Sequence, residues 1–179
     1  MKPRPSAWRN DTRVRIRLPQ QNDETAFLAA VRASAELHAS WVHPPATRDA
    51  FLLHLETVHT FTTRRFLVTS RADDTLAGVF NLTHIIRGGL QSAFLGYYAF
   101  VPHAGTGMMK EGLALVLRQA FGTMRLHRIE ANIQPENEPS KRLVQSCGFT
   151  CEGFSRRYLK IAGKWRDHER WAILREDFV

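Results

Sequence analysis

Cysteine is scarce: Cys147 and Cys151 are the only two in 179 residues. That excludes a disulfide framework and leaves too few thiolates for a four-cysteine zinc site. No window approaches the ~18 consecutive apolar residues that a membrane-spanning helix needs. The opening stretch MKPRPSAWRNDTRVR carries charge with no apolar stretch behind it, unlike a secretory leader. A soluble, unprocessed, cytoplasmic protein is expected, with no membrane partner. Histidines and carboxylates show no metal-ligand spacing, so no metal is expected. Repeats, low-complexity tracts and linkers are also missing, so no internal domain boundary is placed. Acidic residues are in the minority, 17 against 25 Lys and Arg, for a formal net charge of +8. This excess suits a phosphate-bearing cofactor, RNA or a membrane surface, and equally a plain solvated basic surface.

Against these absences, 44% of the residues are apolar, enough for the core of one domain. Residues 1–10 read as a loose, flexible arm and 11–179 as a single domain. Val14, Ile16 and Leu18 alternate with arginines at the period of a half-buried strand. Phe27, Leu28, Val31, Ala35 and Leu37 recur at helical spacing after a cap at Asn22 or Asp23. A second helix is expected from Thr47, fading by Thr62. Three strands, Phe66–Arg71, Leu76–Ile86 and Ser92–Val101, follow as an antiparallel meander with turns at Asp73-Asp74 and Gly88-Gly89. Met109, Leu113, Val116, Leu117, Ala120 and Met124 then mark a helix with one buried stripe. A strand at Arg128–Ile133, a helix at Asn137–Ser146 and strands at Thr150–Ile161 and Trp165–Leu174 complete an α+β, or mixed α/β, order with about four helices.

Two segments carry chemistry. In Pro102-His103-Ala104-Gly105-Thr106-Gly107-Met108 a strand runs into a Gly-x-Gly turn and then a helix. Unpaired N–H groups at a helix N-terminus suit a pyrophosphate, and glycine lets the backbone come close. Taken alone, the turn fits an ordinary loop as well. It is neither a Walker loop nor a Rossmann fingerprint, because Gly-Lys-Ser/Thr and a third glycine are missing. The second segment runs from Asn132 through Asn137 and Ser140 to Cys147-Gly148-Phe149 and Glu152-Gly153. Asn137 is a good N-cap and Pro139 is tolerated in a first turn, so helix capping accounts for these residues without any function.

Together and in this order, the two segments resemble the GNAT acetyltransferases. The pattern Asn137-x-x-Ser140-x-x-Leu143-x-x-x-x-Gly148-Phe149-x-x-Glu152-Gly153 is similar to the RimJ/RimL group of ribosomal-protein N-alpha-acetyltransferases, nearest its RimJ-like members. Gly78-Val79-Phe80-Asn81, Leu95-Gly96-Tyr97-Tyr98 and the stretch Tyr158–His168 extend the likeness over about Arg13 to Ala172. Where the group has a Gln or Arg opening the loop and a Gln before the first glycine, this chain has Pro102 and Ala104. Two side-chain contributions to phosphate binding are therefore absent, and the backbone donors remain.

The resemblance implies a GNAT fold: a mostly antiparallel twisted sheet whose central strands splay into a V. It implies acetyl-CoA as co-substrate and direct attack by a primary amine. Cofactor contacts fall on Phe100, Val101, Ala104, Gly105, Thr106, Gly107, Met108, Asn132 and Asn137. Ser140 is the expected leaving-group acid, with helix capping as its alternative role. Glu130 is the expected base through water, Glu152 is a second candidate, and either carboxylate also fits an ordinary surface role. Trp41, Arg87, Tyr97 and Trp165 are placed in the acceptor groove. The expected acceptor is a protein or peptide N-terminus, with a small-subunit ribosomal protein in view. A small amine such as an antibiotic, amino sugar or amino-acid conjugate stays open, as do a non-catalytic acyl-CoA-binding module and direct contact with nucleic acid.

Overall fold

Burial alternates along Arg128–Ile133, runs unbroken through residues 66–70 and 76–80, and is one-sided along the helices, and together these patterns produce the architecture. The computed structural model describes residues 12–178, so the arm expected at 1–10 lies outside the described residues. The strands are β1 (Val14–Arg17), β2 (Arg64–Ser70), β3 (Leu76–Ile86), β4 (Ser92–Ala99), β5 (Arg128–Ile133), β6 (Thr150–Ile161) and β7 (Lys164–Leu174). The helices are α1 (Glu24–Ala33), α2 (Ala35–His38), α3 (Arg48–Glu56), α4 (Met108–Arg118) and α5 (Glu138–Ser146). The strands form one seven-stranded sheet in the order β1-β2-β3-β4-β5-β7-β6. Neighbours are antiparallel except β4 and β5, which run parallel. No helix among the described residues is long and apolar enough to cross a membrane.

Two apolar layers sandwich the sheet. On one face α4 and α5 pack Leu113, Leu117 and Val144 against Val68, Phe80, Leu95 and Ile129. On the other, α1 and α3 bring Phe27, Val31 and Phe51 onto Val79, Tyr98 and Phe100. A fully buried Leu or Phe contributes roughly 1.5–3 kcal/mol of transfer free energy, so these layers dominate the stability. Gly112 lets α4 lie close to the sheet, since a Cβ there would stand 2.9 Å from a Val68 methyl.

Five helices replace the expected four, because the first breaks at Ser34. Ser34 is buried and its Oγ accepts the Val101 N–H at 3.0 Å, which satisfies an amide just past the end of β4. The bend carries α2 over β4. Leu37, expected on the buried stripe, is left 40% exposed. The second helix is also shorter than expected, ending at Glu56.

Candidate active site

Strand pairing determines where the sheet opens. β4 and β5 are matched at only three positions, Ser92↔Arg128, Ala93↔Ile129 and Phe94↔Glu130. Beyond them β4 continues to Ala99 and β5 to Ile133 with no pairing between the two. This is the expected V. Along a strand, backbone groups face alternate neighbours. The Phe100 N–H donates to the Ala77 carbonyl at 2.8 Å, so residues of its parity face β3. The backbones of Tyr97 and Ala99 therefore face the opening. The amides of Phe100 and Val101, expected to serve the cofactor, are instead spent on Ala77 and Ser34.

A cavity of about 570 Å³ lies at this opening, walled by α2 and the segment after it, β4, the glycine turn, α4 and α5. It gathers Trp41, Tyr97, Ala104, Gly105, Gly107, Asn137 and Ser140 from the residues singled out in the sequence. The turn adopts left-handed backbone at Gly105 (φ 78°) and Gly107 (φ 88°), which an L side chain resists. Its amides divide into two sets. Those of Ala104 and Thr106 donate to the carbonyls of Phe100 and His103. Those of Gly105, Gly107 and Met108 have no acceptor among the described residues and open the N-terminus of α4, where a phosphate is favoured. Arg13 fixes the turn from β1's side: its Nη2 donates to the Thr106 carbonyl at 3.1 Å and its Nε to Glu111 in the first turn of α4 at 2.7 Å. Lys110 and Arg142 add cations to the cavity wall, on which no carboxylate lies among the described residues.

Ser140 sits where Asn137 caps α5, the Asn137 Oδ1 accepting the Ser140 N–H at 3.2 Å. The Ser140 hydroxyl is 2.5 Å from Tyr97 Oη, which also donates to the Ser140 carbonyl at 3.2 Å. Burial pushes the Tyr97 phenol well above its ordinary value, so it keeps its proton at neutral pH. Tyr97, expected in the acceptor groove, is thus half of a hydroxyl pair.

His38 was missed in the sequence. Its Nε2 lies 2.8 Å from the Ala99 carbonyl, an acceptor only, so Nε2 carries the proton and Nδ1 the lone pair. That Nδ1 is buried without a partner, as is Asn132 Oδ1 on β5 past its last pairing with β4. Proximity to Trp41 was the one available signal for His38.

Other expected residues fall elsewhere. Glu130 accepts a hydrogen bond from Arg128 Nε at 2.9 Å and does not line the cavity. Glu152 holds the same guanidinium and, with Glu130, keeps it firmly charged. Trp165 lies on the β6–β7 hairpin, 60% exposed, and Arg87 lines a different cavity. Cys147 is buried, which pushes its thiol up to about 11, and Cys151 is exposed; both are free.

Residues 13–150 match the family described as acetyltransferase (GNAT) domain. The chain belongs to the GNAT acetyltransferase family. It is 45% identical over 112 residues to the probable N-acetyltransferase YjcK of Bacillus subtilis, covering 63% of this chain and 62% of that protein. It is 37% identical over 104 residues to the [ribosomal protein uS5]-alanine N-acetyltransferase of Escherichia coli, covering 58% of this chain and 54% of that one. The chain therefore spans between half and two thirds of the length of these curated relatives. Among solved structures, Mycobacterium smegmatis RimJ in complex with CoA-disulfide superposes with a TM-score of 0.84 at 27% identity, covering 92% of this chain and 83% of that one. The GNAT fold expected from the sequence is the fold observed.

Proposed function

We propose that the chain is an acetyl-CoA-dependent N-acetyltransferase acting on a primary amine, and that the amine is the N-terminal α-amine of a protein. One observation carries the reading: a single cavity joins the unspent amides of the glycine turn to the Tyr97–Ser140 hydroxyl pair. The CoA compound in the RimJ structure and the uS5-alanine activity of the E. coli relative support the donor and the acceptor respectively.

Acetyl-CoA fits the residues present. The buried, unpartnered Asn132 Oδ1 lies where the strands diverge, and the amides of Gly105, Gly107 and Met108 together with Lys110 and Arg142 suit a diphosphate. When bound, it supplies an activated acyl thioester. The chain's own groups then have three tasks. The Tyr97 N–H and carbonyl and the Ala99 N–H, whose own carbonyl is taken by His38, would hold the extended arm and offer N–H groups to the thioester carbonyl. Tyr97 Oη keeps its proton, and turning that one donation from the Ser140 carbonyl to Ser140 Oγ frees the serine proton for the departing sulfur. The base assigned to the amine is His38, whose ring lines the cavity and whose Nδ1 has no partner among the described residues, while Glu130 stays on Arg128.

The acceptor's charge follows from the wall. An α-amine has an ordinary pKa near 7.7–8.0, against about 10.4 for a lysine, so much more of it is neutral at pH 7. A cavity lined, among the described residues, by two cations and no carboxylate disfavours a polyamine and accepts a neutral amine. The test is mass spectrometry of peptides with free N-termini, alongside polyamines and amino sugars, after incubation with labelled acetyl-CoA. Label on the peptide N-terminus is the expected result. Label on the small amines alone overturns the acceptor, and binding of acetyl-CoA with no thiol release on any amine overturns catalysis.

A further inference from the structure

A second cavity, of about 610 Å³, lies by the other end of β4, where that strand begins. It is bounded by the end of β1, the start of β2, the β3–β4 connection and the turn that follows α4. Ile16, Leu18, Phe66 and Met124 make its walls partly apolar, and four arginines reach it. Among the described residues no carboxylate lines it.

The four cations are not equivalent. Arg17 is neutralised by Asp23, whose two oxygens accept from its guanidinium at 2.6 and 2.7 Å. Arg64 and Arg87 bond only to uncharged acceptors: Arg64 Nη1 to the carbonyls of Thr60 and Thr63, Arg87 Nη1 to the Met124 carbonyl and the Gln91 side chain. Those bonds fix each side chain through one nitrogen and leave Nη2 and Nε without an acceptor among the described residues. Arg125 has left-handed backbone (φ 53°); its amide donates to the Gly122 carbonyl at 3.3 Å, and its guanidinium has no hydrogen-bond or ion-pair partner among the described residues. Burial and the neighbouring Arg87 charge both push Arg64 below its ordinary value, a repulsion that a bound anion would relieve.

We propose that this cavity binds a small phosphorylated molecule, its phosphate held by Arg64, Arg87 and Arg125 and its organic part set against Phe66 and Met124. Guanidinium forks match phosphate oxygens in pairs, which a point charge does not do. The volume lies in the range of small-molecule sites, and concave apolar walls suit a nucleoside-sized body better than the ridge of a nucleic-acid backbone. The site shares no lining residue with the acetyl-transfer cavity, so it stands independently of that function.

The test is calorimetric titration of pyrophosphate and of ADP into the full chain at low salt without acetyl-CoA, whose own adenosine phosphates would compete for this cavity. The event assigned to the cavity is the one the substitutions below weaken, with ADP tighter than pyrophosphate. Arg64→Ala with Arg87→Ala weakens it roughly tenfold or more, as does Arg125→Glu, whose side chain holds nothing in the fold. Thermal unfolding of Arg125→Glu should match the parent. The proposal fails if neither probe binds at millimolar concentration, or if Arg125→Glu binds both as the parent does. It also fails if a short RNA binds more tightly than ADP and loses that binding with the same substitutions, since the face is then a nucleic-acid surface.

Discussion

The chemistry proposed for the chain rests on two hydroxyls. If the Tyr97–Ser140 pair delivers the proton to the leaving sulfur, Ser140→Ala lowers kcat about 10–100-fold and leaves acetyl-CoA affinity within about twofold. Tyr97→Phe does the same to a smaller extent, because Ser140 keeps its own proton. Stopped-flow thiol release beside calorimetry reads both quantities. The base assignment separates cleanly as well: His38→Ala reduces kcat by about tenfold or more, whereas Glu130→Gln leaves it near the parent value. Ser140 was legible from its distance to Asn137, because a helix cap and the next turn are local. His38 was not, because it reaches Ala99 only through the break at Ser34, and that break answers an amide sixty-seven positions away.

Elements were the most legible level. β3, β5 and β6 appear at the bounds expected for them, since the turn residues that bound such strands are read within one segment. The glycine turn was readable as a turn, but not which of its amides stay unspent, since that depends on the carbonyls of Phe100 and His103. α4 carries its own test. Gly112→Ala pushes a methyl toward Val68 and Phe80, at 2.9 and 3.2 Å, and is expected to cost about 1–3 kcal/mol in chemical denaturation. α3 carries a pH signature. Burial, with Arg65 nearby, pushes His54 down to about 4 from 6.5, so the unfolded chain binds its proton first as pH falls. Stability from this group is full above about pH 6.5 and is lost progressively as pH drops towards 4, by up to about 3 kcal/mol. His54→Phe should flatten the fall in Tm between pH 7 and 4.5.

At the scale of the whole molecule, the family resemblance placed Arg87 and Trp165 in the acceptor groove, and the fold sets them apart from the cavity at the opening of the sheet. Arg87 ends the β3–β4 hairpin at the far end of the sheet, while Trp165 sits on an outlying hairpin. Neither position can be read without the strand order, which depends on pairings between distant segments. The same order leaves β1–β4 and β5–β7 joined within the sheet by only three residue pairs. Acetyl-CoA binding should therefore slow hydrogen exchange at Tyr97 and Ala99, with little change in β2 and β3. No slowing at those amides would mean that the compound does not lie along β4. The sheet behaves as two leaves sewn together at one hem, and a ligand lying in the gap becomes the thread that closes it. One apolar layer backs both leaves, so they should melt together, and filling the gap should raise their common Tm.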